Sequence, residues 1–346
     1  ACEGECTGHM DKLRNGSRMS NQKERSAVYE KLITKDILAV LLKDRTTGGN
    51  IIWATEDYVL CGIGYSADSQ ILVDWLVGND RKNIIKPRVQ KTREDQAQRS
   101  KDKAEVFTPA WVCNKQNNLV DRAWFGARGG CFNVEKGTYW ETDYKKIFFP
   151  DKPGKTWIDY VKAKRMEITC GEAPYITSRY DMLTGKWIPV KNRIGLLDRK
   201  LRIVSENTET SAEWIRYAKE AVKSIYGFDW QGDNVFLARQ NVLYAVIEAY
   251  YEKYKKVLNP NTVLILAEII SWNIWQMDGI KFVIPNTCHD TQGQMNLLGE
   301  MKKDPCPGCA NNNKWLHNGT YSIIMDWDKK SPIRFVDTLE GGKEHG

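Results

Sequence analysis

No stretch of the 346 residues approaches the ~18 consecutive apolar positions that a membrane-spanning helix needs, so the chain reads as a soluble globular protein with no membrane partner. It also lacks a leader running from basic to apolar to small residues, an internal repeat and any low-complexity tract. The nine cysteines, at positions 2, 6, 61, 113, 131, 170, 288, 306 and 309, lack the spacing of a disulfide framework, which reads as a reduced, cytoplasmic chain. Nor does charge of one sign dominate. Lys plus Arg number 51 against 44 Asp plus Glu, a net +7 that permits a polyanionic partner without requiring one. Gly62-Ile63-Gly64 lacks the third glycine of a dinucleotide fingerprint, which argues against a nicotinamide oxidoreductase.

What is present divides into four parts. Residues 1–25 show no periodicity and read as a disordered leader. Residues 26–104 read as a helical or mixed N-terminal region with a basic connector. In it, Leu32, Ile33, Ile37, Leu38, Leu41 and Leu42 predict one or two helices, and Ile51-Ile52-Trp53 predicts a short strand. The basic stretch 80–104, with Arg81, Lys82, Lys91, Arg93, Arg99, Lys101 and Lys103, is open to two readings: a solvated charged linker or a phosphate-contacting stripe. Residues 105–285 alternate strand-like runs with helices and predict an α/β domain. Trp214, Tyr217, Ala218, Ala221 and Val222 mark one face of a helix that leads into a strand, Ile225–Phe228. Asp233 is a candidate N-cap for a helix, Val235–Tyr251, that is apolar nearly all round and so should be buried. A helix from Asn261 to Ser271 and a strand, Ile274–Met277, follow. Residues 286–346 read as a C-terminal insertion containing Cys and His.

The chemistry concentrates at two places. Met166-Glu167-Ile168-Thr169-Cys170-Gly171-Glu172-Ala173-Pro174 is a strand-like entry into a tight turn, where a glycine lets backbone N–H groups approach a ligand. Taken alone, it is equally an ordinary strand-to-helix turn. Asp229 and Asp278, however, each fall just after a predicted strand. The three together would converge at the carboxyl ends of parallel strands, where open α/β sheets bind ligands.

These residues resemble the gamma-arrangement, amino-group DNA methyltransferases of bacterial restriction-modification systems. Phe107-Thr108-Pro109 is similar to the family's "FTP" motif, and Glu167 to Glu172 to its first motif. Ile225 to Asn241 (IYGFDWQGDNVFLARQN) is similar to its second motif, and Asn273 to Gly279 (NIWQMDG) to its third. The resemblance implies a Rossmann-like S-adenosylmethionine-dependent core that methylates the exocyclic nitrogen of adenine in double-stranded DNA, with the target base flipped out of the stack. Phe107, Thr108 and Pro109 would flank the methionine part of the cofactor, and Glu167, Cys170 and Gly171 would line the turn. Asp229 would hold the ribose and Asp278 the adenine, with Trp230 as a candidate for stacking.

Three features depart from the pattern. Ala173 stands where the family has glycine. Gly171 and Asp229 lie further apart than the roughly 20 positions of a compact dinucleotide-binding unit, which predicts that the stretch from Thr177 to Thr210 loops out. The catalytic tetrapeptide Asn/Asp-Pro-Pro-Tyr/Phe occurs nowhere in the chain. The expectation is therefore a truncated or split methyltransferase that binds cofactor but depends on a second polypeptide for catalysis. The alternative is a non-catalytic DNA-binding or specificity module on a decayed methyltransferase fold.

The second place is Cys288-His289, then Cys306-Pro307-Gly308-Cys309, then His317. Two of only four histidines and three cysteines fall in this short stretch, and a C-x-x-C turn with further Cys or His nearby fits the four sulfur or nitrogen ligands of structural zinc. The competing reading is unliganded cysteines in a surface insertion.

Overall fold

The computed structural model describes residues 32–77, 84–92, 101, 108–126, 131–295 and 301–339. Helix α1 (Lys35–Leu42) begins where the Thr34 side chain accepts the Ile37 N–H, and it buries Ile37, Leu38, Leu41 and Leu42. The strand expected at Ile51–Trp53 does not form. Ile52 makes a lone antiparallel bridge to Gln70, flanked by the bonds from Trp53 N–H to Ser69 O and from Ile71 N–H to Ile51 O, while its own N–H and C=O, on the opposite edge, are taken by the side-chain amide of Gln276. A short helix, α2 (Val73–Leu76), follows, and most of the basic stretch 80–104 lies outside the described residues.

Helix α3 (Ala110–Phe125), the hairpin of β1 (Asn133–Lys136) and β2 (Tyr139–Thr142), and α4 (Trp157–Lys162) lead into β3 (Arg165–Glu167). Two helices, α5 (Leu196–Asn207) and α6 (Ser211–Lys223), connect it to β4 (Ile225–Asp229). Two more, α7 (Gly232–Tyr254) and α8 (Pro260–Asn273), connect β4 to β5 (Ile274–Gln276). The chain then forms a hairpin of β6 (Thr291–Met295) and β7 (Met301–Asp304), the single turn α9 (Pro307–Ala310), and a hairpin of β8 (Ile323–Asp326) and β9 (Ser331–Arg334).

This is a mixed α/β fold with one small parallel sheet, ordered β3-β4-β5. Glu167 pairs with Gly227, Gly227 with Ile274, and Asp229 with Gln276. Every residue of β4 and β5 is buried, as expected of parallel strands covered on both faces. One continuous apolar core runs from Ile37, Leu41 and Trp53 through Val161, Leu201 and Trp214 to Val235, Val246, Ile270 and Ile274.

Helix α7 is buried around most of its circumference, as its sequence predicts. Its cap differs from the expectation: Gln231 occupies the N-cap and Asp233 lies in the first turn, where its carboxylate accepts the Tyr58 hydroxyl at 2.6 Å. Residues 177–210 do not loop out. Asp198 accepts the N–H groups of Ser178 and Gly195, and the buried Arg199 pairs with Asp121, so α5 packs against α4, α6 and α7 as part of the core. Hydrophilic residues in this segment mark buried ion pairs, which look like solvated charge in a one-dimensional reading.

Candidate functional site

The C-terminal rim of the parallel sheet gathers most of the residues named from the sequence. After β3 the chain turns through three residues with positive φ: Thr169 (+48°), Gly171 (+52°) and Ala173 (+65°). At Gly171 a Cβ would meet open space, so the glycine is favoured by its left-handed backbone and not by crowding. Cys170 donates its N–H to Phe228 O at 2.8 Å, which extends the β3–β4 pairing into the turn. The next N–H, of Gly171, reaches Asp229 Oδ2 at 2.9 Å. The other Asp229 oxygen accepts Gln231 N–H at 3.0 Å and Asn234 Nδ2 at 3.3 Å.

Glu167 turns inward and accepts the N–H groups of Ile176 (3.1 Å) and Tyr175 (3.3 Å), pinning the far side of the same turn. Asp278, two residues beyond β5, accepts Ile280 N–H at 2.8 Å and Lys281 N–H at 3.0 Å through Oδ1 and so shapes the turn that leaves the sheet. Trp230 is half-exposed and donates from Nε1 to Ala54 O, at the edge of the N-terminal region. Thr108 and Pro109 open α3, which leans on the rim turn as Asn117 Nδ2 donates to Tyr175 O at 3.0 Å. Phe107 lies outside the described residues.

Burial dominates the electrostatics here. It pushes the Asp229 carboxyl up to about 6, against the hydrogen bonds from Gln231, Gly171 and Asn234 that favour the charged form. It pushes Glu167 up to about 8, against the Tyr175 and Ile176 N–H groups, with the nearby Asp229 charge adding to the rise. Burial also raises the Cys170 thiol well above its ordinary range, reinforced by Asp229 and Glu167. Three groups given no role from the sequence complete the rim. Asn234 binds Asp229, Gln276 bridges β5 to Ile52, and the buried Glu172 accepts Arg88 N–H and the Tyr180 hydroxyl. An amide or acid within five positions of each strand end was the available signal.

The second cluster lies beyond β5. Cys288, Cys306, Cys309 and His317 bring one ligand atom each to within 4.8 Å of one another, a group that can hold a metal ion such as zinc. The Cys288 and Cys309 sulfurs are 3.7 Å apart. His317 Nδ1 lies 3.6 Å from Cys288 Sγ, 3.6 Å from Cys306 Sγ and 3.7 Å from Cys309 Sγ. Of the five residues named from sequence, His289 stands outside the group. Its Nδ1 lies 2.8 Å from Thr287 O, which satisfies the ring locally.

Desolvation and the neighbouring sulfurs push the Cys288 thiol up to about 12. At Cys306, burial pushes upward, but the N–H groups of Cys309 and Asn318 and contacts with Cys288 and His317 outweigh it and bring the thiol down to about 6. A groove of about 610 Å³ beside the cluster is bounded by Ile280, Lys281 and Phe282 on one side and by Cys309, Lys314 and Trp315 on the other. Among the described residues, no helix is long and apolar enough to cross a membrane. Comparison with the models of known protein families, with curated proteins and with solved structures finds no match to this chain.

Proposed function

We propose that the sheet rim binds S-adenosylmethionine and that the chain is the cofactor-holding part of a DNA adenine-N6 methyltransferase of a restriction-modification system. The observation that carries this reading is the 2.9 Å hydrogen bond from Gly171 N–H to Asp229. It brings the glycine turn of the first parallel strand onto the carboxylate that ends the second, the arrangement in which a nucleoside is gripped at the switch from strand to helix. The strand order supports the same reading, since three parallel strands consecutive in the chain lie side by side as in half of a Rossmann-like sheet.

In this assignment Asp229 faces the ribose hydroxyls and Asp278 the adenine amino group, with Trp230 beside the ring. Thr108 and Pro109 stand toward the methionine end with Phe107, and Glu167 and Cys170 hold the shape of the turn. The cofactor supplies an electrophilic methyl group. A carboxylate offers about four acceptor positions, and three on Asp229 are engaged within the chain, so one is left for a ribose diol and its second hydroxyl must share another. No Asn-Pro-Pro-Tyr tetrapeptide occurs in these residues, so the assignment stops at holding the cofactor. The partners it implies are double-stranded DNA and a second polypeptide carrying that motif.

Titration calorimetry of the intact chain with S-adenosylmethionine tests the reading. Uptake that disappears in Asp229→Ala, with helical content retained, is expected, and no uptake by the folded wild-type chain would sink it. The internal hydrogen bonding of Asp229 favours one second reading, a DNA-binding module on a decayed methyltransferase fold. That reading predicts DNA affinity that falls steeply with salt and no cofactor uptake.

A further inference from the structure

We propose that Cys288, Cys306, Cys309 and His317 Nδ1 bind one zinc ion in a closed structural site, and that this ion clamps residues 288–317 at the exit of the sheet. The inference stands apart from the methyltransferase reading and survives its failure. Its first support is metric. With Zn–S of about 2.3 Å and Zn–N of about 2.05 Å, a regular tetrahedron places sulfurs about 3.8 Å apart and sulfur about 3.6 Å from nitrogen. The structure has 3.7 Å for Cys288–Cys309, and 3.6, 3.6 and 3.7 Å from His317 Nδ1 to the three sulfurs. A disulfide would need sulfurs about 2.05 Å apart, so these thiols are gathered around a common point and not paired with one another.

The surroundings are built for the same purpose. A Cβ on Gly308 would lie 2.6 Å from His317 Cγ and Nδ1, so only glycine between the two cysteines of Cys-Pro-Gly-Cys lets the imidazole in. His317 N–H donates to the Tyr321 hydroxyl at 2.8 Å and Asn318 N–H to Cys306 Sγ at 3.3 Å. The first bond orients the ring's backbone, and the second supports a thiolate, as the outer hydrogen bonds of metal ligands do. Three thiolates and an imidazole select zinc over hard cations, and four protein ligands leave no open position for catalysis.

The need for a clamp follows from burial. Between residues 288 and 320, among side chains the structure describes, only Cys306 and Gly308 are buried. A stretch with so little apolar core needs another source of order. The neck of the excursion is tied by Ile284 N–H to Thr320 O (2.8 Å), the Val283–Tyr321 bridge and Ser322 N–H to Phe282 O (3.1 Å). The four ligands sit immediately beyond that neck, where an ion would hold both arms and fix the turn shaped by Asp278.

Metal analysis of the full chain, purified without chelator, is expected to give one zinc per chain. Exchange with cobalt(II) should produce the visible bands of a tetrahedral site and a charge-transfer band scaled to three thiolates. Cys306→Ser and His317→Ala should lose the ion. Because those variants can also misfold, His317→Cys is the decisive companion: it should retain cobalt with the charge-transfer intensity raised to four thiolates, and His289→Ala should match the wild type. Iron in place of zinc, an octahedral cobalt spectrum, or loss of metal in His289→Ala would overturn the site. Hydrogen exchange in residues 278–295 should accelerate at least tenfold on chelation. Unchanged exchange would overturn the clamp.

Discussion

The sheet rim and the Cys/His cluster are both gatherings of residues distant in sequence, yet they are completed in opposite ways. At the rim each carboxylate is already met by the chain's own N–H groups: Asp229 by Gly171 and Gln231, Glu167 by Tyr175 and Ile176, Asp278 by Ile280 and Lys281. In the cluster, three sulfurs and an imidazole nitrogen lie within 4.8 Å of one another, and such atoms satisfy one another poorly without a cation. The rim is therefore a site whose architecture stands by itself and into which a ligand must intrude. The cluster is a site whose architecture calls for its ligand.

That contrast breaks first if the metal is dispensable. For small zinc domains the apparent binding free energy is on the order of 10 kcal/mol, and it is also folding free energy. Chelation should abolish protease resistance in residues 301–320 while leaving the melting of the α5–α8 core nearly unchanged. Protons compete with the ion for thiolate and imidazole, so release should sharpen as pH falls. A core that melts together with the excursion would show that the two regions are not separable.

The rim is stiffened from behind by charge, and removing that support is the next largest effect. Glu248 is buried between Arg179 (2.7 Å) and Arg193 (2.6 Å), which hold its carboxyl below the ordinary range despite desolvation. Arg179 also donates to Asn241, whose amide donates to Glu172 O in the rim turn. Glu248→Gln leaves two guanidinium groups without their carboxylate and should cost about 3–5 kcal/mol in denaturant unfolding, as broken buried pairs do. A loss under 1 kcal/mol would mean that the rim does not lean on this network.

The two sites were not equally legible in the sequence. The helix before β4, the buried α7, the acid that ends β4 and the acid two residues beyond β5 were readable because periodicity and strand-end position are local properties. All four members of the Cys/His group were among the five residues named from the sequence, since C-x-x-C spacing is itself a ligand geometry. His289 was misread because sequence adjacency to Cys288 says nothing about where its ring points. The segment 177–210 was misread because Arg199 and Asp121, a buried pair, lie far apart in the chain. The Ile51–Trp53 run pairs with residues 69–71 through a single bridge, too short a ladder for a strand, and its other edge at Ile52 is met by a side chain, Gln276, which no local pattern announces.

Proton linkage gives a third, smaller contrast. Asp229 rises from an ordinary 3.8 to about 6 on folding, so between those pH values the folded chain holds a proton that the unfolded chain has released. This contribution to stability is therefore full below pH 4 and is lost as pH rises to 6, roughly 3 kcal/mol at 1.36 kcal/mol per unit. Glu167, moved from 4.5 to about 8, extends the decline upward. In denaturant titrations across pH, Asp229→Asn should flatten the lower limb and Glu167→Gln the upper one. A pH dependence between 4 and 8 that is the same in both variants as in the wild type would contradict the buried, self-satisfied rim.

The smallest expected effect separates the two meanings of the rim. Asp278 accepts two backbone N–H groups at the exit of β5, so Asp278→Ala should cost about 1 kcal/mol, the scale of a lost capping interaction. If the rim is only a folded corner, that loss is the whole consequence. If the carboxylate also meets an adenine amino group, affinity for S-adenosylmethionine should fall about tenfold, equivalent to a further 1.4 kcal/mol, while Asp278→Asn, which keeps one carbonyl acceptor, recovers part of the stability. Measuring unfolding and calorimetric affinity on the same two variants decides between them. A stability loss with unchanged affinity would leave Asp278 as the architect of a turn, and the adenine contact would have to be sought elsewhere along the rim.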